Sequence, residues 1–269
     1  MNGWRGRFLI GSNHKMYKTT AQTIAYLKDL ESLTGDLADK ELHLFILAPH
    51  TSLDAAFREI GDRSVHLGAQ NMFWEDTGQY TGEISPVFLE EIGIQLVMVG
   101  HSERRNIFCE SDQLINKKVL SGLRHNFTVL LCVGETGQDK EFGIGPERVR
   151  EQMKIALRNV QASQLSNLWI AYEPVWAIGQ GNTPATPEYA NSMHCILRET
   201  VSEIYPEWGV KVPILYGGSV NPENAVSLLR QPFIDGLFIG RTAWDAKRFS
   251  DLIHDLYPVW REKPLQDLV

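Results

Sequence analysis

The sequence is poor in the features that mark several protein classes. Its three cysteines, Cys109, Cys132 and Cys195, are odd in number and form no Cys-x-x-Cys pair. That scatter argues against a disulfide scaffold and against a cysteine zinc site. No stretch approaches the ~20 apolar residues of a membrane span, and the N-terminal apolar piece Phe8-Leu9-Ile10 is too short for a secretory signal. Positive charge is in deficit: 26 Lys and Arg against 33 Asp and Glu leave a net charge of −7, the wrong sign for a general nucleic-acid binder. Low-complexity tracts and breaks in composition are absent as well. The expectation is a soluble, cytoplasmic chain with no nucleic-acid or membrane partner, folded as one domain over residues 1–269.

What the chain does hold is a regular alternation. Short apolar runs rich in β-branched and aromatic residues predict strands near 7–11, 42–48, 65–70, 96–99, 128–133, 168–172, 212–216 and 236–239. Amphipathic stretches predict helices near 21–33, 52–60, 86–92, 112–125, 146–160, 187–205, 222–229 and 249–257. Ser85-Pro86, Thr186-Pro187 and Asn221-Pro222 each put a capping side chain before a proline at the first helical position. The strand runs are continuously apolar, as in parallel strands covered on both faces. Two folds compete. A doubly wound sheet would carry a Gly-x-Gly-x-x-Gly turn after its first strand, but that turn reads Gly11-Ser12-Asn13-His14-Lys15. A single closed (β/α)8 barrel, the TIM barrel, has the right number of units and a typical length, and is the expected fold.

In such a barrel the active site forms where strands end at their carboxyl side. There the sequence places Asn13 and Lys15 after the first strand, Gly100-His101-Ser102-Glu103-Arg104-Arg105 after the fourth and Glu173-Pro174-Val175-Trp176-Ala177-Ile178-Gly179 after the sixth. Gly217-Gly218-Ser219-Val220 follows the seventh strand and Gly240-Arg241 the eighth. Each has a plain structural reading on its own. Lys15 alone reads as a solvated lysine, His101 as a helix cap or buried histidine, Gly217-Gly218 as a tight turn, and Glu103-Arg104-Arg105 as an ion-pair cluster. Their joint placement at one mouth is what points to an enzyme site.

The residue types suggest the chemistry. Paired glycines before a serine leave backbone N–H groups facing an anion, and the following helix N-terminus adds positive potential. Lys15 adds a fixed charge. Glu173 is placed to take a proton from carbon while His101 and Lys15 polarise the neighbouring carbonyl. His101 is expected to open a short helical turn whose N-terminal dipole favours a neutral, donating imidazole. His14, His43, His50, His66 and His194 lack a metal-ligand spacing. Proton transfer on a small phosphorylated carbonyl compound, with no metal and no cofactor, is what remains. The stretch 174–183, glycine-bearing with an apolar centre, reads either as a loop packed on its neighbour or as a lid that excludes water.

These segments together resemble the triosephosphate isomerase family. The matching strings are Gly11-Ser12-Asn13-His14-Lys15-Met16, Ala69-Gln70-Asn71, Tyr80-Thr81-Gly82-Glu83, Val99-Gly100-His101-Ser102-Glu103-Arg104-Arg105, Cys132-Val133-Gly134-Glu135, the run from Ala171 through Gly179, and Tyr216-Gly217-Gly218-Ser219-Val220-Asn221. They occur in family order along nearly the whole chain. The resemblance implies Glu173 as catalytic base, His101 as electrophile, Lys15 and Asn13 as contacts to substrate and oxyanion, and Glu103 as support for the lysine. It implies Gly179, Ser219, Gly240 and the amide of Arg241 as phosphate contacts beside Gly217 and Gly218. It further implies a homodimer in which the loop 71–82, which holds Thr81, enters the partner's site. The apolar content of that loop, Met72, Phe73, Trp74 and Tyr80, agrees with such a role.

Three departures bear on the substrate. The family pattern Asn-Trp-Lys is here Asn13-His14-Lys15, and the lid ends Gly179-Gln180-Gly181-Asn182-Thr183-Pro184 instead of Gly-Thr-Gly-Lys-Thr. Gly-Gly-Ala after the last strand is replaced by Gly240-Arg241-Thr242-Ala243-Trp244, a run more similar to the branch acting on four-carbon erythrulose phosphates in erythritol catabolism. The expected activity is therefore aldose–ketose isomerisation, either D-glyceraldehyde 3-phosphate to dihydroxyacetone phosphate, as in glycolysis and gluconeogenesis, or the L-erythrulose 1-phosphate reaction. Two readings of other kinds remain beside it. A non-catalytic phosphate-ligand sensor would not need both Glu173 and His101. An aldol-cleaving barrel would usually need a Schiff-base lysine within a strand or a metal site.

Overall fold

A computed structural model of the chain describes residues 6–37, 41–61, 64–179, 181–209 and 211–263. Eight strands form one closed parallel barrel in sequence order, β1 (Phe8–Asn13), β2 (Leu42–Ala48), β3 (Val65–Ala69), β4 (Leu96–Val99), β5 (Thr128–Val133), β6 (Leu168–Tyr172), β7 (Ile214–Tyr216) and β8 (Gly236–Ile239). The ring closes where β8 pairs with β1, Leu9 opposite Gly236 and Ser12 opposite Ile239. A Cβ on Gly236 would stand 2.1 Å from the Leu9 carbonyl oxygen, so the closure requires glycine there.

The helices cover the outside: α1 (Thr20–Leu33), α2 (His50–Ile60), α3 (Pro86–Glu91), α4 (Ser102–Asn106), α5 (Asp112–Arg124), α6 (Gly137–Glu141), α7 (Gly145–Ala156), α8 (Pro187–Ile204), α9 (Pro222–Leu229) and α10 (Ala246–Glu262). Alternate strand residues divide between two cores. Leu9, Phe45, Leu47, Met98, Trp169 and Phe238 help fill the barrel interior. Phe8, Ile10, Leu44, Ile46, Val129 and Ile170 face the helices. This double burial explains the unbroken apolar runs, and each fully buried large side chain contributes about 1.5–3 kcal/mol.

The expected barrel is therefore found, and the three predicted caps are made. Ser85, Thr186 and Asn221 accept from the amides of Val87, Tyr189 and Asn224. The differences lie at element ends. β1 runs on to Asn13, which the sequence reading places after the strand, and β7 starts at Ile214, because Pro213 has no N–H for the ladder. Short α6 was not expected. α10 starts three residues earlier than predicted, where the Asp245 side chain caps the Arg248 amide at 2.9 Å, and it continues through Pro258. Among the described residues no helix is long and apolar enough to cross a membrane.

Candidate active site

The carboxyl ends of β1, β4, β6, β7 and β8 carry the predicted residues. Asn13 is the last residue of β1 and is buried. Its Oδ1 accepts from the Lys15 amide at 2.8 Å and from Gln70 Nε2 at 3.0 Å, while Gln70 also donates to the Lys15 carbonyl at 2.8 Å. These bonds hold Lys15 at φ +50°, a left-handed conformation that costs a non-glycine residue about 1–3 kcal/mol. The strained backbone aims the Lys15 side chain across the mouth, where Nζ donates to Glu103 Oε1 at 2.6 Å. Gln70, directly after β3, has no role that sequence alone assigns, because its position relative to Asn13 depends on barrel register.

His101 caps α4, as expected, through its ring. Nδ1 accepts from the Glu103 amide at 3.2 Å, which leaves the proton on Nε2. The Glu103 carboxylate 3.7 Å from Nδ1 is thus a neighbour and not an ion-pair partner. Nε2 lies 3.3 Å from Glu173 Oε1, and Glu173 Oε2 accepts from the Ser102 amide at 2.9 Å. The Glu173 side chain is buried. Its backbone is set by β5, since its amide donates to the Val133 carbonyl at 2.8 Å and Gly134 lies flat against it. A Cβ on Gly134 would come within 1.8 Å of the Glu173 carbonyl oxygen. Beneath the carboxylate sits Cys132, whose thiol is pushed well up by burial and then by the Glu173 charge, so it stays protonated beside that carboxylate. Arg105 joins the ends of β4 and β5, donating to the carbonyls of Gly100 at 2.7 Å and Cys132 at 3.0 Å while pairing with Asp112. Arg104 pairs with Glu110. The ion-pair reading of the two arginines holds.

On the other side of the mouth the phosphate candidates converge. Gly217 differs from expectation: its amide donates to the Tyr172 carbonyl at 2.7 Å and is not turned to a ligand. Among the described residues the amides of Gly218, Ser219 and Gly240 have no such protein partner. Ser219 Oγ donates to the Ala177 carbonyl at 2.6 Å, and Arg241 Nη2 to the Gly179 carbonyl at 3.1 Å. Both acceptors belong to the 174–183 segment, whose Gln180 lies outside the described residues. That segment opens with a 3₁₀ turn, Val175–Ala177, and Gly179 has φ +117°. Trp176 Nε1 donates to buried Glu135 at 2.6 Å, and the same carboxylate accepts from the hydroxyls of Tyr172 and Tyr189 at 2.9 Å. Trp176 thus has the partner surface its apolar character demanded, and Glu135, also unassigned from sequence, is the anchor at the base of the loop. Among the described residues no three His, Cys, Asp or Glu side chains are grouped to hold a metal ion.

A carboxylate facing an Nε2-protonated imidazole at the carboxyl ends of barrel strands defines a class, the (β/α)8 enzymes that work by proton transfer. The sequence profile described as "Triosephosphate isomerase" matches residues 8–256. A triosephosphate isomerase of Dictyoglomus turgidum is 42% identical over 248 residues, covering 92% of this chain and 98% of the relative. An L-erythrulose-1-phosphate isomerase of Rhizobium meliloti is 40% identical over 245 residues, covering 91% and 94%. The crystal structure of triosephosphate isomerase from Bartonella henselae superposes with a TM-score of 0.84 at 32% identity, covering 94% of this chain and 99% of that one. The chain belongs to the triosephosphate isomerase family and is an isomerase that interconverts aldoses and ketoses.

Proposed function

We propose that the chain interconverts D-glyceraldehyde 3-phosphate and dihydroxyacetone phosphate through an enediolate, with Glu173 as the base. The observation that carries this reading is the 3.3 Å approach of Glu173 Oε1 to His101 Nε2, with the Nε2 proton fixed by the bond at Nδ1. Substrate binding parts these groups, and the carbonyl with its adjacent C–H enters between them. The carboxylate leaves the Ser102 amide, takes a proton from the carbon beside the carbonyl and returns it to the neighbouring carbon. His101 Nε2–H and Lys15, supported by Glu103, stabilise the negative oxygen, with Asn13 beside them. The phosphate rests on the amides of Gly218, Ser219, Gly240 and Gly179, next to Arg241. Gly217 serves as the turn that brings Ser219 there. The 174–183 segment covers the site and keeps water from the intermediate.

A second substrate has specific support. Arg241 and Trp244 alter the rim after β8, and relatives named L-erythrulose-1-phosphate isomerase are as similar as those named triosephosphate isomerase. The mechanism is the same for a four-carbon ketose phosphate. Side-by-side kcat/KM values for glyceraldehyde 3-phosphate and erythrulose 1-phosphate decide between them; at least tenfold preference for the erythrulose compound overturns the three-carbon assignment.

The working unit is a cytoplasmic homodimer, each subunit one barrel domain. Exposed Met16, Tyr17, Tyr80, Ile107 and Phe108 lie on loops at one end of the barrel. The 71–82 loop is prebuilt: Phe73 packs on Trp74 and Tyr80, and Asp76 is held by Arg124 and His125. Met72 and Phe73 are buried in the chain's own subunit, so Tyr80 and the tip are the parts left for a partner. Sedimentation velocity should give a two-subunit particle; a monomer at micromolar concentration contradicts the dimer.

A further inference from the structure

The turn after β8 is built more rigidly than a connecting loop needs. It is a 3₁₀ turn, Arg241–Trp244, tied on three sides. Thr242 Oγ1 donates to the Val220 carbonyl at 3.0 Å, the Ala243 carbonyl accepts from Tyr26 of α1 at 2.5 Å, and Trp244 Nε1 donates to the Asn13 carbonyl at 2.9 Å. From this fixed base the exposed Arg241 side chain reaches over to the 174–183 segment and bonds the Gly179 carbonyl. Ser219 holds the carbonyl of Ala177 two residues earlier. Two side chains, from the loops after β7 and β8, therefore grip the segment from below.

The charge of Arg241 is also unanswered. Among the described residues no carboxylate lies within ion-pair distance of it, whereas the Lys15 ammonium at the same mouth is paired to Glu103 at 2.6 Å. In a chain of net charge −7, a bound dianion needs local cations. A guanidinium has five N–H donors in a planar fork, so a bond to one carbonyl leaves others to point elsewhere. The Arg241 amide directly follows Gly240, whose own amide has no protein partner.

We propose that Arg241 is a bridge: its guanidinium bonds the Gly179 carbonyl and an oxygen of the substrate's phosphate together, joining the covering segment to the ligand it covers. The inference rests on the phosphate position given under the proposed function and deepens it. Arg241 supplies the charge that the backbone amides lack, and through it a bound dianion steadies further the segment that Arg241 already holds. It binds the spectator phosphate and touches no reacting atom, so removing it weakens capture of phosphorylated ligands without changing the proton-transfer groups.

The test uses the full chain, with Arg241→Gly and Arg241→Lys variants, and inorganic phosphate as the probe. Three readouts are taken: inhibition by phosphate, kcat/KM for both sugar phosphates, and hydrogen exchange of peptides spanning 174–185 with and without phosphate. In Arg241→Gly, phosphate inhibition and kcat/KM should each weaken by about ten- to hundredfold, the range of a charge-assisted hydrogen bond. The peptides should exchange faster and lose their protection by phosphate. Arg241→Lys keeps the charge without the fork; it should recover part of the phosphate affinity and little of the protection. Wild-type inhibition by phosphate, with Arg241→Gly matching it in inhibition and in exchange, overturns the bridge and leaves the isomerase reading intact. A wild-type chain that neither binds phosphate nor converts either substrate overturns both.

Discussion

At the residue scale the site depends on where one carboxylate stands. Glu173 reaches His101 and the Ser102 amide from a backbone position fixed by β5. Glu173→Asp withdraws the carboxylate by about an ångström and should lower kcat by ~10²-fold with the fold unchanged by circular dichroism; an unaffected rate removes Glu173 from the role of base. His14 carries the opposite lesson. Its ring is fully buried edge-on to Tyr26 at 4.5 Å, and among the described residues neither ring nitrogen has a hydrogen-bond partner. Burial, and then the Lys18 charge, lower its pKa to about 3. An apolar ring suits such a site better, so His14→Phe should stabilise the chain by about 1 kcal/mol at pH 7. Because the unfolded imidazole takes up a proton below pH 6.5 and the folded one does not, the advantage should widen by about 2 kcal/mol by pH 5. Denaturant titrations at the two pH values measure this, and a variant less stable than the parent at both contradicts it.

At the scale of elements, the strands dictate what a loop residue can do. Gly134, just past β5, is flat against the Glu173 backbone, and a Cβ there would stand 1.8 Å from its carbonyl oxygen. Gly134→Ala should therefore cost about 1–3 kcal/mol of stability and depress kcat as well, read from denaturant midpoints and initial rates; a neutral substitution contradicts the packing argument. The same scale shows what was legible beforehand. Continuous apolar runs and proline-marked caps announced the eight units, because burial on both faces and N-cap chemistry are local in sequence. Glu173, His101 and Lys15 stood out because each follows a strand. Gln70, Glu135 and Cys132 did not, since their partners, Asn13, Trp176 and Glu173, are reached only across neighbouring strands or loops. The Gly217 amide, expected to face an anion, is used by β6 instead: a strand end competes for the same donor, and sequence alone does not say which acceptor wins.

At the scale of the whole molecule, acid sensitivity is built into the fold. His14, His43 and His194 are buried, chiefly by desolvation, at pKa values of about 3, 2 and 3. Each folded pKa lies below the unfolded value, so stability is whole above pH 6.5 and is lost as pH falls toward the folded values, at up to about 4 kcal/mol per pH unit for the three together. His254 acts in the opposite sense: desolvation there is outweighed by the Ser250 carbonyl and the Asp36 carboxylate, which raise its pKa, but it is one partly exposed group against these three and His50, whose pKa burial also lowers. Unfolding free energy should be flat from pH 7 to 8 and fall steeply below pH 6; a flat profile to pH 4 contradicts the burial of these rings as neutral species. In the proposed mechanism the barrel serves to bring Glu173, His101 and Lys15 to one mouth, and the most direct test of that proposal follows hydrogen. The folded chain is incubated with dihydroxyacetone phosphate and with erythrulose 1-phosphate in deuterium oxide, and deuterium entering the carbon beside the carbonyl is measured by mass spectrometry. Rapid incorporation with at least one of them, abolished in Glu173→Gln, is the predicted result, and no incorporation with either would contradict the account.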